Sequence, residues 1–391
     1  MPYNDVLKVL KTRRAVELTK SLVRAPSINP PGNEKAASEV VASFFDEIGI
    51  KYVEQSVSGD RCNVIATLKG RTGSRSLLLT GHLDVVPPGD ERLWMKDPFS
   101  GEEADGQIYG RGSADAKGCL GAMLCAIEAV AESGVELFGD LFFAAVVGEE
   151  TDGMGIKHLV KSGLRPDMAL VGEPTQLRVG NAHKGIARFR IDVSGKAAHA
   201  SLPDNGVNAI SGMAKVIMGL DDLATKLRSK GVVSPPTLVV STIAGGIKDN
   251  VVPPNCTITV DRRLSVGEDP EKAGHEIIGI VRSALEGTSM RAGMVPYLLA
   301  KPAQTSPNEM IVQSTTDSVR EILDKDLGLY NFEAYCDMGP LVDLAGTKAV
   351  ILGPGSLAGS HVANEMVTVK EVEDAAKIYS LVVTHVLCKR S

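Results

Sequence analysis

LFFAAVVGEE (141–150) is an apolar run that stops on two adjacent carboxylates, Glu149 and Glu150. A short, continuous run rich in Val, Phe and Ala reads as a strand buried on both faces of a parallel sheet. Ligands of open α/β sheets bind outside the carboxyl ends of the strands. Two acids at such an end can divide the labour, one holding a metal and the other moving a proton. An acidic surface loop has the same two letters, so the rest of the chain decides between them.

Three further runs end on hard ligands. SLLLTGHLD (76–84) runs apolar and then presents His82 and Asp84, whose i, i+2 spacing puts both on one face of an extended segment. DMALVGEP (167–174) ends on Glu173, and AVILGPGSLAGSH (349–361) turns through Gly and Pro to His361. A fifth segment, IYGRGSADAKG (108–118), carries Asp115 in a Gly-rich loop before the helix-like CLGAMLCAIEAVAES (119–133). Imidazoles and carboxylates together suit zinc, and cobalt or manganese can take the same donors.

The chain has 391 residues, which predicts two or more domains or one large one with an insertion. Hydrophobic residues make up 43%, enough for a sizeable core, and a net charge of −6 with no long Lys/Arg run argues against a nucleic-acid partner. No stretch reaches the ~18 apolar residues of a membrane span. The charged, amphipathic N-terminus is unlike a signal peptide. Six cysteines without a CxxC pair read as reduced thiols, so a cytoplasmic location is expected.

Helical and strand-like segments alternate over the first 180 residues, which predicts a mainly parallel sheet with helices on both faces. The pattern changes near 181. A strand at 186–195, a helix at 205–227, strands at 237–246 and 255–264, a helix at 269–287 and a short strand follow the split β-α-β-β-α-β plan. In NCTITVDRRL (255–264), Thr257, Thr259 and Asp261 share one face and Ile258, Val260 and Arg262 the other. We therefore expect an α/β fold with a catalytic domain over 1–180 and 294–391 and a ferredoxin-like α+β insertion over 181–293.

The motifs GHLDVVPPGD (81–90), GRGSADAKG (110–118), GEETDG (148–153), GEPT (172–175) and GSHVANE (359–365) occur in one order along nearly the whole chain. That order resembles the dinuclear-zinc amidohydrolases and peptidases, a family that includes acetylornithine deacetylase, succinyl-diaminopimelate desuccinylase, aminoacylase and the glutamate-releasing carboxypeptidase. The resemblance implies that Asp115 bridges two zinc ions, with His82 and Glu173 completing one site and Glu150 and His361 the other. It implies Glu149 as general acid/base on a water shared by the metals, and Asp84 behind His82, orienting its imidazole. Ala116 stands where the family often has a second acid or Asn. The family commonly has a cis peptide after the bridging Asp, and the sequence leaves that open at Asp115-Ala116.

The resemblance further implies that His199, in GKAAHAS (195–201), crosses a homodimer formed through the inserted lid domain and serves the partner's oxyanion. Asn250 and Arg262 match substrate-holding positions, and the GPGS turn around Gly355 offers backbone N–H groups near a substrate carboxylate. Arg263 faces the other way along its strand and is expected to pair on the surface. The substrate class implied is an N-acyl amino acid with a free carboxylate, and a dipeptide hydrolysed by a dipeptidase or carboxypeptidase is the alternative. A non-catalytic homologue would have lost ligands or the base, and all are present here.

Overall fold

A computed structural model describes residues 2–388. It divides into two compact units, one running to Ala182 and resuming over Gln304–Phe332 and from Cys336, the other comprising His183–Ala303 with Glu333–Tyr335.

The first unit is built on a mixed sheet whose centre is four parallel strands. In spatial order these are Asp140–Val146, Ser76–His82, Met168–Val171 and Lys348–Ile351. Antiparallel strands flank them: Arg61–Leu68 on one side and Val179–His183 on the other. Every position of Ser76–His82 after Ser76 is buried, so both faces of the sheet are covered, as the continuous apolar runs predict. The register pairs His82 with Val146, which sets the ends of the two central strands side by side. The loops carrying His82, Glu149-Glu150, Glu173 and His361 therefore leave the same edge of the sheet.

Helix Gly118–Glu132 is buried on nearly every side and starts just after Asp115. Its small residues allow close packing: a Cβ at Gly121 would lie 2.3 Å from Thr19 Oγ1. The final helix, Val369–Leu387, is N-capped by Thr368, whose Oγ1 accepts the Glu371 N–H at 3.0 Å. Among the described residues no helix is long and apolar enough to cross a membrane, and all six cysteines are free.

The second unit is a four-stranded antiparallel sheet in the order Thr237–Gly245, Asn255–Leu264, Gly185–Ser194, Arg291–Ala300. With helices Ala209–Arg228 and Pro270–Ala284 between its strands, it has the expected ferredoxin-like plan. One face packs Ala187, Phe189, Ile191, Val193, Ile258 and Val260 into a core of its own. The unit runs on to Ala303, so the expected return at 294 is too early. Strand Arg291–Ala300 caused the difference. It pairs along the sheet edge, but mostly exposed positions and Pro296 weaken its alternation in sequence.

The chain re-enters the first unit through a reciprocal pair of hydrogen bonds. Thr305 N donates to Asn181 O at 2.8 Å, and Asn181 Nδ2 donates to Thr305 O at 2.9 Å.

Candidate active site

The loops at the carboxyl edge of the first unit converge on Asp115. His82 Nε2 lies 3.0 Å from Asp115 Oδ1, and His361 Nε2 lies 3.3 Å from Asp115 Oδ2. The two imidazoles thus address opposite oxygens of one carboxylate. His361 Nε2 is also 3.1 Å from Glu150 Oε1. Donor atoms of His82, Asp115 and Glu150 all fall within 4.8 Å of one another. Glu173 is buried, and its Oε1 has no hydrogen-bond partner. His361 sits in the left-handed region at φ 62°, an uncommon conformation for a residue with a Cβ. The Asp115-Ala116 peptide is cis.

Burial is the largest influence on most of these groups. It pushes Glu173 and Glu149 well above the usual carboxylate range, helped in each by the charge of neighbouring acids. Asp115 moves the other way, because hydrogen bonds from His361 and His82 outweigh its burial. His361 is raised to about 10 by its contacts with Asp115 and then Glu150. Burial opposes protonation of His82, yet the Asp115 carboxylate holds it well above its ordinary value.

That balance fits a cationic centre. Two buried acids, Asp115 and Glu173, the latter with an orphaned oxygen, together with half-buried Glu150 and two imidazoles, are costly to assemble without added positive charge. Zinc takes this donor set, and a bridging carboxylate is the natural element shared by two ions. His82, Asp115 and Glu173 would hold one ion, and Asp115, Glu150 and His361 the other.

The profile of peptidase family M20/M25/M40 matches residues 78–385. The chain belongs to this family. A relative from Photorhabdus laumondii described as acetylornithine deacetylase is 31% identical over 384 residues, covering 95% of this chain and 96% of its own. One of the same description from Proteus mirabilis is 30% identical over 386 residues, covering 94% and 96%. A solved tripeptidase from Staphylococcus aureus superposes with a TM-score of 0.81 at 22% identity, over 96% of this chain and 99% of that one. The M20 chain is accordingly a hydrolase.

Several residues of this M20 hydrolase position the cluster without belonging to it. The Asp84 carboxylate accepts the backbone N–H groups of Glu149 and Glu150, each at 3.1 Å, and the Asn29 side-chain N–H at 2.8 Å. Orientation of His82 falls to the Asp84 backbone carbonyl, 2.9 Å from Nδ1, whereas the nearer carboxylate oxygen is 3.8 Å away. Asp84 does stand behind His82, but its charge is directed at the Glu149-Glu150 turn. Asp337, at the start of helix Met338–Ala345, is buried with Oδ2 unpartnered, and burial pushes it up to about 7. Asn29 is silent in sequence, because nothing marks a polar residue before two prolines as a partner of a distant strand end.

Gly355 is buried at φ 82°, where a Cβ would meet Ala114 at 2.7 Å, immediately beside Asp115. In the second unit, His199 and Asn250 are exposed and adjacent: Ala200 N donates to Asn250 O at 3.0 Å. Arg262 corrects an expectation. Its side chain is 1% exposed, lies on the helix-facing side of the sheet, and bonds Glu268 at 3.0 Å. The strict alternation of 255–264 puts it with Ile258 and Val260, so it holds no substrate from there. Arg263 lies on the open face, 2.8 Å from Asp261, as expected.

Proposed function

We propose that the chain hydrolyses the amide bond of an N-acyl amino acid, with two zinc ions held by His82, Asp115, Glu150, Glu173 and His361. The observation that carries this reading is the placement of two imidazoles on opposite oxygens of Asp115, with Glu149 in the adjoining loop. The two relatives described as acetylornithine deacetylase support the substrate class. The ions would polarise the amide carbonyl and make a shared water acidic enough to lose a proton near neutrality.

Glu149 takes that proton and returns it to the leaving amine. Burial raises its carboxyl, which brings its affinity for a proton closer to the working pH. The oxyanion requires a donor, and His199 is prepared as one. Ser201 N donates to His199 Nδ1 at 3.2 Å, which leaves the proton of a neutral ring on Nε2. His199 acts from the partner subunit of a homodimer formed through the inserted unit. Recognition of the substrate carboxylate falls to Arg263, on the open sheet face of the inserted unit, together with Asn250 of the same unit. The reduced cysteines accord with a cytoplasmic enzyme.

A dipeptidase or carboxypeptidase of the same family is the second reading, and the tripeptidase superposition keeps it in view. Both substrate types place a free carboxylate beyond the scissile bond. Zinc- or cobalt-loaded protein tested on N-acetyl amino acids, N-succinyl amino acids and dipeptides separates them. The proposal expects the highest kcat/KM on an N-acyl amino acid. A clear preference for dipeptides would replace it with the second reading.

A further inference from the structure

Glu365 lies four residues beyond His361 in GSHVANE and is 1% exposed. Its carboxylate touches none of the ligand side chains. Instead, Oε1 accepts two backbone N–H groups, those of Ala114 and Asp115, each at 3.1 Å. Oε2 receives Nη1 of Arg111, itself 2% exposed. The Glu365 carbonyl accepts the Gly110 N–H at 2.9 Å. Strand Met366–Thr368 then continues the ladder against Gln107–Tyr109.

We propose that Glu365 is a positioning residue for the metal centre, the element that ties the backbone of the bridging Asp115 to the loop bearing His361. This inference rests on the dimetal reading above. A bridging carboxylate must present both oxygens at fixed angles, and its own side chain cannot set its backbone. The segment that carries it is irregular: Asp115 (φ −122°, ψ 92°) and Ala116 (φ −130°, ψ 31°) both leave helical geometry just before the helix begins. Two N–H donors converging on one buried anion fix that segment, and charge-assisted bonds of this kind are about twice as strong as neutral ones. The same anion sits on the His361 loop, so Asp115 and His361 are held in mutual register before any ion arrives. Arg111 neutralises the buried charge, and Trp94 covers the guanidinium at 5.3 Å. The side of the loop away from the site is fastened as well, since Asn364 accepts the Met95 N–H at 2.6 Å and donates to Leu93 O at 3.0 Å.

The test is a cobalt titration of metal-free wild type, Glu365→Gln and Glu365→Asp, followed by visible absorption and by the rise in Tm on metal addition. Gln keeps the length and loses the charge; Asp keeps the charge and falls short of the two N–H groups. Loss of an outer partner of a metal ligand typically weakens binding by about 10–100-fold. We expect that loss in both variants, with a smaller metal-induced rise in Tm. A folded variant that binds cobalt with wild-type affinity overturns the proposal, even if its metal-free Tm is lower. Hydrogen exchange of the wild type supplies an arm independent of variant folding. The Ala114 and Asp115 amides should already be protected without metal, and rapid exchange there overturns the proposal too. Failure of the wild type to take up two cobalt ions would instead count against the dimetal reading.

Discussion

The Asp84 carboxylate holds the Glu149 backbone N–H at 3.1 Å, so a residue just past the end of one central strand fixes the turn that bears Glu149 at the end of the next. Asp84→Asn leaves one acceptor oxygen for N–H groups that now share two. It leaves the backbone carbonyl at His82 untouched. Metal content should therefore stay at the wild-type level while kcat falls by about 10–100-fold. Loss of metal with full activity per bound ion would show that the carboxylate serves His82 after all.

Glu149 and Glu150 are neighbours with separable roles. Glu149→Gln should retain two metals and lose on the order of 10²–10⁴ in kcat. Glu150→Gln should bind the second ion weakly and recover activity as zinc is added. Metal analysis alongside steady-state kinetics distinguishes the two, and wild-type kcat in Glu149→Gln would remove it from the chemistry.

Arg262 and Arg263 should exchange the roles that the bare motif suggests. Arg262→Ala removes a buried partner of Glu268, which keeps Lys230 at 2.9 Å. A stability loss of roughly 1–3 kcal/mol is expected, with kcat/KM nearly unchanged. Arg263→Ala should leave stability alone and cost roughly 2 kcal/mol in kcat/KM for substrates with a free carboxylate, sparing amidated ones. Urea melts and paired substrates settle the assignment.

His183 gives the second unit a dependence on pH. Its ring is buried against Tyr335, Nδ1 lies 2.8 Å from the Lys184 carbonyl, and burial lowers its pKa to about 4. The unfolded chain takes up this proton first, near pH 6.5. The contribution is thus fully present above about pH 6.5 and is lost as pH falls toward 4, amounting to roughly 3 kcal/mol. Denaturation midpoints at pH 7 and pH 4.5 should differ less in His183→Gln than in the wild type. Equal differences would mean that the ring is not held neutral.

His199 acts across a dimer on the proposed reading. Mixing inactive His199→Ala and Glu149→Ala chains under subunit exchange should restore activity, to about a quarter of wild type at equal mixing. One site of each mixed dimer then has Glu149 from its own chain and His199 from the other. Verified exchange without recovery would place His199 outside the partner's site.

The strand ends announced themselves in sequence because apolar runs halting at His82, Glu149 and Glu173 combine burial with an abrupt change of chemistry. The ferredoxin-like plan was legible for the same reason, through alternation over 255–264. What stayed hidden acts through the backbone. Asp84 and Glu365 bind N–H groups, which every residue has, so no letter marks their partners. At Arg262 the motif match and the strand's parity disagree, and the parity, which groups it with Ile258 and Val260, agrees with its burial. Strand Arg291–Ala300 is faint in sequence because an exposed edge strand has few buried positions to alternate.

The bonds between Asn181 and Thr305 bring the two ends of the inserted unit to a single doorway. All five ligands, Glu149 and Glu365 are encoded outside it, before and after. On the proposed reading, the residues that break the amide and the pair Asn250 and Arg263 that hold its carboxylate are therefore written in separable stretches of one gene. Selection could then rewrite the middle of the chain, altering which substrate is accepted, without redrafting the means of cleavage.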